Sequence, residues 1–271
     1  MPRPKRSLGQ NFLADTLVID RIVDAVAPEE ADTIVEIGPG QGALTDRLVA
    51  SGATVFAVEF DRVLASHLEA KFANTENISV IEGDALVIDL TELVKNSRIA
   101  SNGAEGKSKL AANLPYNIST PILQRLIEQR ATFSELVLMF QSEVADRVTA
   151  APGIRERGYL SVLVESAFEV RKLFDVPPQA FRPVPKVNST VVRMKPLPPC
   201  IDDEEGFRRF VSLGFSQKRK TLLNNLKHLS PIAADALTAA SIDTGRRAET
   251  LSLSEWVGLF LTWRMFNSTA D

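Results

Sequence analysis

The stretch Glu36-Ile37-Gly38-Pro39-Gly40-Gln41-Gly42-Ala43 constrains the fold more than any other. It joins a short apolar run, Thr33–Ile37, to a segment with helical spacing, Ala43–Ala50. Glycines let the backbone turn sharply and approach a ligand closely. A glycine turn that closes a strand and opens a helix is where an open α/β sheet binds ligands. The same alternation recurs downstream. Thr54–Val58 reads as a strand followed by a helix over Arg62–Phe72, and Ile78–Ile81, Leu110–Ala112 and Leu136–Phe140 read as three more strands. Such alternation implies parallel βαβ units with helices on both faces of the sheet. Short strands that are apolar throughout fit a sheet buried on both sides.

The pattern changes after residue 200. Asp202-Asp203-Glu204-Glu205 is an acidic helix start, and helical spacing continues over Thr221–Leu229, Ile232–Ala240 and Ser254–Phe266. This predicts two domains: an α/β domain over 1–199 and a small all-helical domain over 200–271, entered through Pro196-Leu197-Pro198-Pro199. Residues 96–108 read as a flexible surface loop. With 271 residues, 45% of them apolar and 24% charged, the chain has a globular composition. No apolar run reaches the roughly 18 residues of a membrane span. The N-terminus lacks the apolar core of a secretory signal. A lone Cys200 permits no internal disulfide, and with only His67 and His228 beside it no metal site is expected. These features point to the cytoplasm.

The ligand of the glycine loop stays open on position alone. Gly38, Gly40 and Ala43 fit G-x-G-x-x-[G/A], and Glu59, at the end of the second strand, can accept hydrogen bonds from ribose hydroxyls. NAD and S-adenosylmethionine both suit that pattern, and a glycine turn without a ligand explains it too. The E-x-G-x-G-x-G form with Pro39 inside it favours S-adenosylmethionine, as does Gly83-Asp84-Ala85, where Asp84 can accept from an adenine amino group. Gly106-Lys107-Ser108 imitates the end of a phosphate loop. Ser101 replaces its first glycine, however, and a strand rather than a helix follows.

Asn113-Leu114-Pro115-Tyr116 ends the strand at 110–112. The plain reading is a strand-to-helix turn, but that leaves an amide and an aromatic unexplained beside a nucleotide loop. The exocyclic amine of a base is a poor nucleophile, because its lone pair is delocalised into the ring. The Asn113 amide oxygen and the Leu114 carbonyl can accept its two hydrogens and direct the lone pair at a methyl donor, while Tyr116 stacks on the base.

These segments together resemble the small-subunit (16S) ribosomal RNA adenine N6,N6-dimethyltransferase family of bacterial type. The resemblance rests on Ser7-Leu8-Gly9-Gln10-Asn11-Phe12-Leu13, Glu36 to Thr45, Gly83-Asp84-Ala85, Asn113 to Tyr116, Phe181-Arg182-Pro183-Val184-Pro185-Lys186-Val187-Asn188-Ser189 and Gln217-Lys218-Arg219-Lys220-Thr221-Leu222, in that order. It implies a Rossmann-like S-adenosylmethionine-dependent methyltransferase sheet with helices on both faces and a helical C-terminal RNA-binding domain. It implies dimethylation of two adjacent adenosines near the 3′ end of small-subunit rRNA, as a step of ribosome biogenesis. By resemblance, Gln10, Asn11, Leu13, Gly38, Gly40, Glu59, Asp84, Ala85 and Asn113 hold the cofactor. Asn113, Leu114, Pro115, Tyr116 and Phe181 handle the target adenine, with Phe181 stacked opposite Tyr116. The implied partner is small-subunit rRNA within a partly assembled 30S particle, bound by a monomer without metal or membrane.

Met194, Leu223 and a long 96–108 segment depart from the family pattern. Three rivals remain at this point: a large-subunit rRNA adenine methyltransferase of the antibiotic-resistance type, a nicotinamide dehydrogenase and a non-catalytic RNA-binding factor. The net charge of −3, taken as a sum, argues against RNA, but it is unevenly spread. Residues 1–100 carry 9 Lys/Arg against 16 Asp/Glu, and residues 151–230 carry 14 against 8. Phosphate contacts are expected from Arg3, Lys5, Arg6, Arg182, Lys186, Lys218, Arg219 and Lys220.

Overall fold

The computed structural model describes the chain except residues 1, 3, 6, 7, 101–105, 115–117, 228–231 and 269–271, together with the side chains of 97–100 and 268. It divides into two compact units. One comprises Met1–Ala145 with Glu169–Pro196, the other Asp146–Phe168 with Leu197–Asp271.

The first unit is the α/β part. Its elements are β1 (Phe12–Leu13), α1 (Thr16–Val26), β2 (Thr33–Ile37), α2 (Ala43–Ala50), β3 (Thr54–Glu59), α3 (Arg62–Lys71), β4 (Ile78–Glu82), α4 (Leu90–Ala100), β5 (Ser108–Asn113), α5 (Ser119–Glu128) and β6 (Glu135–Gln141). After α6 (Ser142–Val148) and α7 (Tyr159–Ala167) the chain returns to the sheet through β7 (Phe168–Val176), β8 (Phe181–Arg182) and β9 (Ser189–Pro196). Seven strands form one sheet in the order β4-β3-β2-β5-β6-β9-β7. The pairs from β4 through β6 are parallel, and β9 runs antiparallel to β6.

This order puts the reversal of strand progression between β2 and β5. The chain works outward from β2 to β4, then returns to the other flank of β2. Loops leaving the carboxyl ends of β2 and β5 therefore diverge and leave a crevice, the usual ligand position in such sheets. All five residues of β2 are buried, as expected for a central strand covered by helices on both faces. α1 starts where the Asp15 carboxylate accepts from the Leu17 and Val18 N–H groups at 2.9 and 3.3 Å. It turns Val18, Ile19, Ile22, Ala25 and Val26 into the core that Ile34, Val55, Val137 and Val191 build from the sheet.

The expected strands and helices of this unit appear within one or two residues of their sequence positions, but one expectation changes. Residues 96–100, read as part of a surface loop, complete α4, and Ser108 already opens β5. The polar Asn96-Ser97-Arg98 hides the helix from a hydrophobicity reading.

The second unit is helical. It holds α7 with α8 (Glu204–Gly214), α9 (Leu222–Leu226), α10 (Ala233–Ala239) and α11 (Leu253–Ser268). Its core is aromatic: Phe207 packs edge-on against Phe260 at 5.7 Å between centroids, and Phe210 against Trp256 at 6.2 Å. Val162 of α7 belongs to this core, so residues 146–168, which precede β7 in the chain, pack with the C-terminal helices. Among the described residues, no helix is long and apolar enough to cross a membrane.

Candidate active site

A cavity of about 270 Å³ opens at the β2/β5 reversal. Gln10, Asn11, Leu13, Gly38, Gly40, Glu59, Asp84, Ala85, Asn113, Leu114 and Phe181 all line it. Pro115 and Tyr116, expected to complete the target-binding set, lie outside the described residues, as do Arg3 and Arg6 of the basic arm.

Each wall follows from a local feature of the chain. The loop after β2 carries three glycines in the left-handed region, with φ of 69° at Gly38, 60° at Gly40 and 81° at Gly42. A Cβ on Gly40 would meet the Phe12 ring at 2.9 Å, so this glycine makes room for β1 to lie across the loop. β1 is held there by β8, with Leu13 opposite Phe181. Phe181 is 1% exposed and joins the hydrophobic core while also facing the cavity.

Glu59 closes the second side. Its Oε2 accepts the Gly40 N–H at 3.0 Å and its Oε1 accepts the Asp61 N–H at 2.8 Å. Each oxygen keeps a further lone pair for a ligand hydroxyl. Burial pushes the Glu59 pKa up, against the opposing pull of those backbone N–H groups. Beyond β4, Asp84 accepts from the Leu86 N–H at 2.9 Å, which fixes the turn that presents Ala85.

Asn113 ends β5. Its Nδ2 donates to the Asn11 carbonyl at 3.4 Å, which leaves Oδ1 as the acceptor end of the amide. The next residue is anchored by its own N–H, which Leu114 donates to the Met139 carbonyl at 3.2 Å.

Several lining residues have no role in the sequence reading. Phe12 packs on Gly40, Phe60 remains 60% exposed, and Gln41 donates to the Pro2 carbonyl at 3.1 Å. An aromatic directly after the Glu59 carboxylate is the sequence signal for Phe60. Glu36, the first residue of the glycine motif, also lines the cavity. It is 2% exposed, its Oε2 has no hydrogen-bond partner, and burial raises its pKa to about 8. The neighbouring Thr45 hydroxyl opposes that rise without making a well-formed hydrogen bond.

The cavity favours one of the two candidate ligands. A dinucleotide needs free loop N–H groups for its pyrophosphate. Here the Gly38 N–H goes to the Val58 carbonyl at 2.9 Å, the Gly40 N–H to Glu59, and the Gly42 N–H to the Pro39 carbonyl at 2.9 Å. Glu59 and Asp84 line the cavity beside Glu36, which its raised pKa keeps neutral, and no Lys or Arg does so among the described residues. Carboxylates without cations disfavour a pyrophosphate and suit a ligand carrying positive charge. S-adenosylmethionine, a sulfonium with a ribose and an adenine, fits this donor set.

Comparison with known proteins agrees. The family model "Ribosomal RNA adenine dimethylase" matches residues 1–264. Ribosomal RNA small subunit methyltransferase A of Geobacter metallireducens is 44% identical over 265 residues, covering 95% of this chain and 94% of the relative. The protein of the same name from Synechococcus elongatus is 43% identical over 268 residues, covering 96% and 94%. Among solved structures, a dimethyladenosine transferase from Plasmodium falciparum superposes with a TM-score of 0.75 at 25% identity, over 94% of this chain and 98% of that one. The 23S rRNA methyltransferase ErmE gives 0.69, also at 25% identity, over 93% and 99%. A glycine loop at the strand-order reversal, an oriented Asn113 amide and a match along nearly the whole sequence lead to one conclusion: the chain belongs to the ribosomal RNA adenine dimethylase family.

Proposed function

We propose that this chain is an S-adenosylmethionine-dependent rRNA adenine N6,N6-dimethyltransferase acting on two adjacent adenosines near the 3′ end of small-subunit rRNA. The observation that carries the proposal is the oriented Asn113 amide at the rim of a carboxylate-lined nucleotide cavity. Identity of 43–44% to small-subunit enzymes along nearly the whole chain favours that substrate over large-subunit rRNA.

When bound, S-adenosylmethionine supplies an electrophilic methyl on sulfur. Every other requirement falls to the protein. Glu59 holds the ribose hydroxyls, Asp84 with Ala85 takes the cofactor adenine, and Gln10, Asn11, Leu13, Gly38 and Gly40 enclose the remainder. Asn113 Oδ1 and the Leu114 carbonyl accept the two hydrogens of the target amine and aim its lone pair. Phe181 and Tyr116 sandwich the base, with Pro115 next to Tyr116 in the same motif. Taking an adenine out of its stack costs a few kcal/mol, and aromatic stacking returns about 1–3 kcal/mol per base. Alignment of amine and methyl can contribute about 7–11 kcal/mol. No strong base is required, since the amine proton can leave after the methyl arrives.

The proposal extends to partner and place. The substrate is rRNA in a partly assembled 30S particle in the cytoplasm, and the enzyme works as a monomer without metal. The α/β unit carries the chemistry and the helical unit adds RNA contacts.

The test is methyl transfer from labelled S-adenosylmethionine to undermethylated small subunits, read as mono- and dimethyladenosine after digestion. Asn113→Ala should lower transfer by about 100-fold or more, as loss of a positioning and hydrogen-bonding group does. Dimethyladenosine should fall further than monomethyladenosine, because the second transfer has only one amine hydrogen left to hold. Glu59→Ala should weaken cofactor binding before it changes anything else. Wild-type transfer at background level would overturn the proposal in favour of a non-catalytic RNA-binding protein.

A further inference from the structure

Leu8, Gly9, Gln10 and Asn11 form one side of the cavity, and among the described residues the N-terminal arm is tied down at Asp61, at Gln41 and at Asn113. Asp61, just past β3, has a side chain only 2% exposed. Its carboxylate collects three donors: Lys5 Nζ at 2.8 Å, Gln10 Nε2 at 3.1 Å and the Val63 N–H at 3.0 Å. Two of the three come from the arm, and the third is the first turn of α3, which Asp61 caps. Within the arm, the Lys5 N–H donates to Gln10 Oε1 at 2.7 Å, so lysine, glutamine and carboxylate close a ring of hydrogen bonds.

That ring is wired to the cofactor carboxylate. The Asp61 N–H donates to Glu59, and Glu59 also accepts from Gly40 in the glycine loop. The arm in turn supplies Leu8, Gly9, Gln10 and Asn11 to the cavity wall, and Gln41 ties its start to the loop after β2. Lys5, expected from the sequence to meet phosphate, is instead paired with Asp61, while its side chain stays 47% exposed. Burial would raise the Asp61 pKa, but the Lys5, Gln10 and Val63 hydrogen bonds outweigh it and hold the carboxylate ionised.

We propose that Lys5 and Asp61 form a latch that holds the N-terminal arm closed over bound cofactor. The inference rests on the cavity being the S-adenosylmethionine site. Swinging the arm away from the cavity breaks the Lys5–Asp61 pair, so the pair acts on cofactor retention and not on the methyl step. Charge-assisted bonds of this partly buried kind are stronger than surface ion pairs.

The test is calorimetric binding of S-adenosylmethionine to the full chain, with hydrogen–deuterium exchange of the arm. Lys5→Met should raise Kd by about 5- to 10-fold, the size expected for one charge-assisted hydrogen bond. Exchange in residues 8–14 should quicken while α3 stays protected. Lys5→Arg should restore both, which a merely structural effect would not produce. Asp61→Asn keeps the helix cap, and the double variant Lys5→Met/Asp61→Asn should bind no more weakly than Asp61→Asn alone. A Lys5→Met chain that binds as the wild type does, or whose arm exchanges unchanged, overturns the latch while leaving the cofactor site standing. A wild-type chain that binds no S-adenosylmethionine overturns both.

Discussion

At the scale of single residues, the two groups that matter most owe their properties to how they are partnered. Asn113 is useful because its Nδ2 is already committed to Asn11, which leaves one end of the amide as an acceptor. Glu36 is the opposite case, a carboxyl buried with an unpartnered oxygen. Its pKa, raised to about 8 by burial, is above the unfolded value, so the folded chain keeps a proton that the unfolded chain releases. Between about pH 4.5 and 8 the folded state binds more protons, and stability must fall as pH rises through that window. A tenfold difference in proton affinity between the two states corresponds to about 1.4 kcal/mol. Glu36→Gln should therefore flatten the decline, leaving stability at pH 5 little changed and raising it at pH 9. Urea unfolding of the ligand-free variant and wild type at the two pH values checks this, and parallel curves would contradict it. The motif placed Glu36 at the site, but its protonation could not be read from the sequence, because it depends on helices and strands packed around β2.

At the scale of elements, the sequence carried what is periodic or punctuated. β2 through β6 read as apolar runs bounded by turns, and α2 and α3 followed from helical spacing. The two-residue strands β1 and β8 have no period to detect, yet their pairing brings Leu13 beside Phe181 and makes one wall of the site. β7 escaped for another reason: Glu169, Arg171, Lys172 and Asp175 break up its apolar character. In the helical unit, α8 ends on Gly214, where a Cβ would lie 2.4 Å from the fully buried Trp256 ring. Phe210 and Phe215 pack against that indole, so the ring has little room to retreat. Gly214→Ala should destabilise this unit by about 1–3 kcal/mol, the usual penalty for overpacking. Thermal unfolding monitored by tryptophan fluorescence should show the loss, and an unchanged midpoint would mean that α8 and α11 adjust freely.

At the scale of the whole molecule, charge is sorted more finely than the sequence windows suggested. The α/β unit carries 19 Lys/Arg against 22 Asp/Glu, and the helical unit carries 12 of each. The basic excess of residues 151–230 therefore does not make the helical unit basic overall. It comes partly from residues 169–196 of the α/β unit, with six basic and two acidic groups, and partly from residues 206–227, with six basic and none acidic. Grouping residues 146–168 with the C-terminal helices depends on contacts such as Val162 in the aromatic core, which lie far apart in the chain. Arg219 and Lys220 are exposed within the basic stretch. Replacing both with Ala should weaken RNA binding across sequences and lower the salt slope of the binding constant by about 2, close to one per phosphate contact. Filter binding over a range of salt concentrations reads that slope directly, and an unchanged slope would remove these residues from the RNA contact set.

Primer extension on rRNA from a strain lacking the protein decides whether this cavity methylates adenosines of small-subunit rRNA. Two adjacent stops near the 3′ end of the small-subunit rRNA should disappear, and the wild-type gene should restore them while Asn113→Ala does not. Retention of both stops, or loss of a modification in the large-subunit rRNA instead, would contradict that activity.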